Sequence, residues 1–254
     1  MVYIVGAGPG DPELITVKGQ KILREADVVI YAGSLVNPEL LKLCKPDTEI
    51  YNSAEMTLAE VIKVIELANA KHKNIVRLHT GDPSIYGAIQ EQMDELAELN
   101  IEYDVIPGVS SFLAAAAALK QEYTLPGITQ TVIITRCGGL TPIPEKESLK
   151  KLGQSQATIC IFLSANLIHN VVRELMSAGY KSLTPVAVVY KASWNDEKII
   201  RGTLSTITEQ LQVEGITRTA IIIVGQCLNS RKINYLKSNL YSPSFTHMFR
   251  VADS

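Results

Sequence analysis

Three short stretches of this 254-residue chain combine glycines with acids or hydroxyls: "GAGPGDPELIT" (Gly6–Thr16), "HTGDPSIYGAI" (His79–Ile89) and "IPGVSSFLAAAAAL" (Ile106–Leu119). The first looks like a phosphate loop, but a dinucleotide fingerprint needs a third glycine where Asp11 stands. Pro9 has no N–H to offer a phosphate, and Asp11-Pro12-Glu13 puts two carboxylates where a pyrophosphate would sit on a helix start. No Gly-Lys-Ser/Thr follows, so a nucleotide triphosphate loop fails too. Two readings stand: a tight strand-to-helix turn, or a loop that lets an uncharged or cationic ligand approach the backbone. In the second stretch, Gly81-Asp82-Pro83 repeats the pattern, and Asp82 reads as a helix cap or as an acting carboxylate. In the third, Ser110 and Ser111 open an Ala-rich helix as caps or as ligand contacts. Three such loops suit a phosphate-free ligand with apolar, hydroxyl and cationic parts, a description that S-adenosylmethionine meets.

The elements that must carry these loops alternate. Val2–Val5, Val28–Tyr31, Ile75–Leu78 and Tyr103–Ile106 read as strands, with helical patterns over Pro12–Glu25, Thr57–Lys71, Ser84–Leu99 and Ser110–Leu119. That alternation implies βαβ units around a mostly parallel sheet, with the three loops at strand carboxyl ends, where open α/β sheets bind ligands. The pattern breaks at "QEYTLPGI". A second series follows: strands at Thr131–Thr135, Thr158–Leu163, Val186–Tyr190, Ile199–Thr203 and Ala220–Val224, and helices at Leu167–Ala178 and Leu204–Gln212. The expectation is two α/β domains, residues 1–120 and 121–254, with a polar tail of no clear period.

Composition narrows the function classes. Hydrophobic residues make up 46%, charged residues 20%, and the net charge is −2. This is a globular balance with no basic field for nucleic acid. Cys44, Cys137, Cys160 and Cys227 form no C-x-x-C pair, which argues against a zinc site or disulfides and for a reducing cytoplasm; no metal is expected. No apolar run reaches the roughly 18 residues of a membrane span, and the first residues do not read as a signal peptide.

The three loops, with "TVIITR" and "TPVAVVYKASW", resemble the tetrapyrrole methyltransferases of the corrin and sirohaem pathways, over nearly the whole chain. The resemblance implies two α/β domains with S-adenosylmethionine in a cleft between them, a homodimer, and methyl transfer to a carbon of a tetrapyrrole. Carried over by position, it implies cofactor contacts at Pro9, Gly81, Asp82, Pro83, Ile85, Tyr86, Ser110, Ser111, Leu163 and Ala192. Methyl transfer to an electron-rich carbon asks mainly for alignment, with a general base optional. Asp82 is the foremost residue for an active part, with His79 and Tyr86 behind it. The substrate's carboxylates call for cations, foremost Arg136 and Lys191, then Arg77 and Arg201. Trp194 reads as a stacking platform for a flat macrocycle or as a rim residue. Leu140 departs from the family, whose members commonly carry a basic residue there. Outside that family, the competing readings are a nicotinamide-dependent oxidoreductase and a non-catalytic tetrapyrrole binder.

Overall fold

The computed structural model describes residues 1–230 and 235–252. The chain divides into two compact units, Met1–Ala115 with Lys191–Lys198, and Ala116–Tyr190 with Ile199 onward. The first unit thus recovers a segment from late in the chain, a return that a single break in the sequence pattern does not express.

In the first unit, β1 (Val2–Gly6), β2 (Val28–Tyr31), β3 (Glu49–Asn52), β4 (Ile75–His79) and β5 (Tyr103–Ile106) form one sheet in the order β3-β2-β4-β1-β5. Neighbouring strands all pair in parallel. Both faces are buried, as a parallel sheet requires. Val2, Ile30 and Ile75 pack with Val61, Ile62 and Ile65 of α2 (Leu58–Asn69) and Leu96 of α3 (Gln90–Glu98). Val5, Val76 and Leu78 pack on the other side with Ile15 and with Leu23 of α1 (Val17–Glu25). A capping box starts α2, with Thr57 and Glu60 satisfying each other's backbone N–H.

Two helices are shorter than their sequence patterns. Asp11 caps only a 3₁₀ turn, Pro12–Leu14, and α1 starts afresh at Val17 with Thr16 as its N-cap. The pattern over Ser84–Leu99 becomes α3 only from Gln90. Tyr86 (φ +57) and Ala88 (φ +50) lie in the left-handed region, which an α-helix cannot contain. The strand β3 had no counterpart in the sequence pattern.

The second unit holds α4 (Ser111–Leu119) from Ala116, then β6 (Val132–Arg136), α5 (Leu149–Leu152), β7 (Thr158–Phe162), α6 (Ile168–Ser177), β8 (Pro185–Tyr190), β9 (Lys198–Thr203), α7 (Ile207–Glu214) and β10 (Ala220–Val224). Its sheet order is β6-β7-β10-β8-β9. β10 runs antiparallel to β7 and β8, so β6, β7 and β8 share one direction and one carboxyl edge. Ile159, Ile161, Val186, Val188, Ile222 and Val224 form the sheet's part of the core under α6 and α7. The tail holds one short 3₁₀ turn, Asn239–Tyr241, and a mutual backbone pair between His247 and Arg250. Among the described residues, no helix is long and apolar enough to cross a membrane.

Candidate functional site

β4 and β5 flank β1 and run parallel to it, so the three glycine-bearing loops leave adjacent strands at one edge of the first sheet. They touch through bare backbone. A Cβ on Gly6 would lie 2.7 Å from the Gly108 Cα and 2.7 Å from the Gly81 oxygen, and one on Gly108 would lie 2.2 Å from that same oxygen. Gly8 and Gly81 exchange backbone hydrogen bonds, at 3.3 Å from the Gly8 N–H and 2.8 Å from the Gly81 N–H. Only glycine allows this approach, and it leaves the loops locked together.

Asp82 ties the second loop to the third. Its Oδ1 accepts the Ser84 N–H at 2.9 Å and its Oδ2 accepts the Gly108 N–H at 3.0 Å. Both oxygens therefore do structural work. Pro83 and Gly81 are buried beside it, Ile85 is half-buried, and Tyr86 is 46% exposed. Ser110 is buried and Ser111 half-buried at the start of α4.

The returning segment Lys191–Lys198 braces the first loop. The Trp194 indole N–H donates to the Pro9 carbonyl at 3.0 Å, and the Asp11 N–H donates to the Ser193 hydroxyl at 3.0 Å. A Cβ on Gly10 would sit 2.0 Å from Trp194 Cδ1, so Gly10 is small because the indole lies on it. Asn37 completes the brace with a 2.8 Å bond from its amide to the Gly10 carbonyl. Trp194, which the sequence leaves open as a stacking platform or a rim residue, thus props the first loop. The bonds from Trp194 and Ser193 span 185 and 182 residues. No local pattern reveals them; the only trace is a lone tryptophan and an otherwise unexplained Gly10. Trp194→Phe leaves the Pro9 carbonyl without its donor. It should cost about 1 kcal/mol in urea unfolding of the first unit, and an unchanged midpoint would refute the brace.

Ala192 is buried in this segment, and Lys191 (φ +46) pairs with Asp196 at 2.6 Å while lying 5.4 Å over the Trp194 ring. The ammonium holds the Asp196 carboxyl below the usual carboxylate range. Leu163 and Arg136 belong to the second unit, at the carboxyl edge of its sheet. Leu163 is 65% exposed with φ +51, a strained residue presented to solvent. Arg136 donates to the Thr141 and Pro142 carbonyls at 2.9 and 2.7 Å, which shapes the loop that carries the fully exposed Leu140.

The two reserve cations are elsewhere. Arg201 lines a cavity of about 600 Å³ with Gln121, Pro185 and Thr203. Pro185 begins β8, so this is the edge of the second sheet opposite Arg136 and Leu163. Arg77 is only 7% exposed, packed inside the first unit. His79 is 4% exposed with no partner for its Nε2 among the described residues, and burial, with the Arg77 charge adding, pushes its imidazole down to about 3. It stays neutral at physiological pH and is a poor base.

Fold and loops define an α/β unit whose adjacent strand ends carry loops packed through glycine backbone, with carboxylates where a phosphate binder needs donors. Comparison with known proteins sharpens that class. A sequence profile of the tetrapyrrole (corrin/porphyrin) methylases matches residues 1–208. A cobalt-precorrin-4 C(11)-methyltransferase of Methanocaldococcus jannaschii is 59% identical over 98% of this chain and 95% of its own. A solved cobalt-precorrin-4 methyltransferase of cobalamin biosynthesis superposes with a TM-score of 0.88 at 48% identity, over 89% of this chain and 95% of that one. The Thermus thermophilus uroporphyrin-III C-methyltransferase, solved with S-adenosylhomocysteine, gives 0.73 at 28% identity, over 89% and 92%. The chain belongs to the tetrapyrrole methylase family.

Proposed function

We propose that the protein is an S-adenosylmethionine-dependent C-methyltransferase acting on C11 of precorrin-4 or its cobalt form in corrin ring synthesis. The carrying observation is the likeness, over nearly the whole chain, to a cobalt-precorrin-4 C(11)-methyltransferase, and it is supported by three locked strand-end loops that hold carboxylates and no Lys or Arg. Loops with carboxylates and no cation suit a ligand with a sulfonium and no phosphate, and they disfavour the pyrophosphate of a nicotinamide cofactor. The cofactor would be held by Pro9, Gly81, Asp82, Pro83, Ile85, Tyr86, Ser110, Ser111, Leu163 and Ala192. When bound it supplies an electrophilic methyl group on sulfur.

The chain's own contribution is alignment. Loops locked backbone to backbone lose little freedom when a ligand binds, so less ordering opposes the near-attack geometry. Asp82 serves chiefly as the clasp of the second and third loops. Lys191 and Arg136 are proposed to meet the substrate's carboxylates; Arg136 still has donors beyond the two that hold its loop. A cytoplasmic homodimer is part of the same reading.

Calorimetric titration with S-adenosylhomocysteine, against NADH, tests it first. We expect one site per chain for the first ligand and none for the second. Precorrin-4, cobalt-precorrin-4 and uroporphyrinogen III then compete in a methylation assay scored by the ring position labelled. Binding of NADH alone, or labelling away from C11, would overturn the reading.

A further inference from the structure

The turn Ile85–Ile89 holds two residues in the left-handed region, Tyr86 and Ala88. Each such residue is strained and persists only where its surroundings fix it. Asp82 fixes the front of the turn. At the back, the Gln92 amide N–H₂ donates to the Ala88 carbonyl at 3.0 Å. Its Oε1 accepts the Arg77 Nε–H at 3.0 Å, and Arg77 Nη1 donates to the Ile30 carbonyl at 3.0 Å, on the strand next door. The relay therefore runs from β2 through β4 and α3 to the turn.

Arg77 is unusual here. It is buried, and no carboxylate among the described residues pairs with it. Burial lowers its guanidinium to about 10, so it stays charged at neutral pH. A buried cation facing a neutral amide is expensive as a way to stabilise a core. What it achieves is local: the charge polarises the Gln92 amide and strengthens that group's bond to Ala88.

We propose that Arg77 and Gln92 are positioning residues for the cofactor, setting the strained turn that presents Ile85 and Tyr86. The inference rests on the cofactor reading above. It assigns Arg77 a role remote from the substrate contact considered for it from sequence.

Gln92→Glu is the discriminating variant. It keeps an acceptor for Arg77, now charged, while putting a carboxylate where the Ala88 carbonyl needs a donor. Three readouts are taken on the full chain: thermal midpoint, amide exchange over residues 85–89 without ligand, and the Kd for S-adenosylhomocysteine. We expect a midpoint at or above that of the parent, faster exchange in the turn, and about tenfold weaker binding, the scale of one polarised hydrogen bond. In turnover, the KM for S-adenosylmethionine should rise while kcat at saturating cofactor stays within about twofold of the parent. Should that variant not fold, Gln92→Met removes both bonds of the amide; its midpoint is then expected to fall, and exchange over residues 85–89 and the Kd are the deciding readouts. Unchanged exchange and affinity in a folded variant would overturn the inference alone. A parent protein that binds no S-adenosylhomocysteine would overturn the proposed function, and the cofactor part of this inference with it.

Discussion

Gly108→Ala is expected to abolish measurable binding of S-adenosylhomocysteine and to destabilise the first unit by roughly 3 kcal/mol or more. The added methyl would lie 2.2 Å from the Gly81 carbonyl oxygen and 2.9 Å from the Gly6 Cα. Neither neighbour is a side chain that can rotate away. Relief requires moving a strand end, and backbone shifts of that kind typically cost about 1–3 kcal/mol even in cores with side chains to rearrange. The same shift pulls the Gly108 N–H from the Asp82 carboxylate, a charge-assisted bond of about 1.5–3 kcal/mol. Both losses fall on the cradle. Gly215→Ala is the matched control: a Cβ there meets nothing within 4 Å, but its φ of +65 makes alanine cost about 1 kcal/mol. Urea unfolding and calorimetry on the two variants separate a clash from a strained dihedral. Parent-like binding by Gly108→Ala would mean that the three loops do not form the site.

How far the sequence goes is visible in that residue. The three loops were readable as glycine-bearing turns at strand carboxyl ends, and the strand order puts them side by side; their use as ligand loops belongs to the proposed function. Most strands were readable as β-branched runs. Glu49–Asn52 escaped because it is a short edge strand with two exposed residues, Glu49 and Ile50, and so carries little hydrophobic signal. The helical pattern over Ser84–Leu99 was overextended because Ile85, Ile89 and Met93 keep helical spacing through a turn whose φ values forbid a helix. Arg77 misled for a different reason. In a sheet covered on both faces, alternation no longer separates inside from outside, so an arginine between Val76 and Leu78 can be as buried as they are. The brace of Trp194 and Ser193 depends on partners far along the chain, and the relay of Gln92 on a buried arginine of the preceding strand, and a periodicity argument has no access to those.

Asp82→Ala and Asp82→Asn are both expected to weaken S-adenosylhomocysteine binding about a hundredfold, the first by losing two hydrogen bonds to a charged acceptor, the second by losing one of them and the charge and by facing an N–H with its own N–H₂. Asparagine should not rescue. It offers one oxygen where two backbone N–H groups, of Ser84 and Gly108, each need an acceptor, and its N–H₂ would face one of them. The choice of ligand then separates three roles for this carboxylate. If it only clasps the loops, affinities for S-adenosylmethionine and S-adenosylhomocysteine fall together, because the damage lies in the cradle. If its charge also steers the sulfonium, the methionine form loses more than the uncharged thioether. If it takes a proton from the substrate, Asp82→Asn loses kcat at saturating cofactor and flattens the acid limb of the pH profile. The hydrogen bonds argue for the first outcome. A carboxylate with both oxygens aimed at backbone amides is held in place for the loops, and a variant that binds both ligands like the parent yet turns over slowly would show that geometry to be incidental.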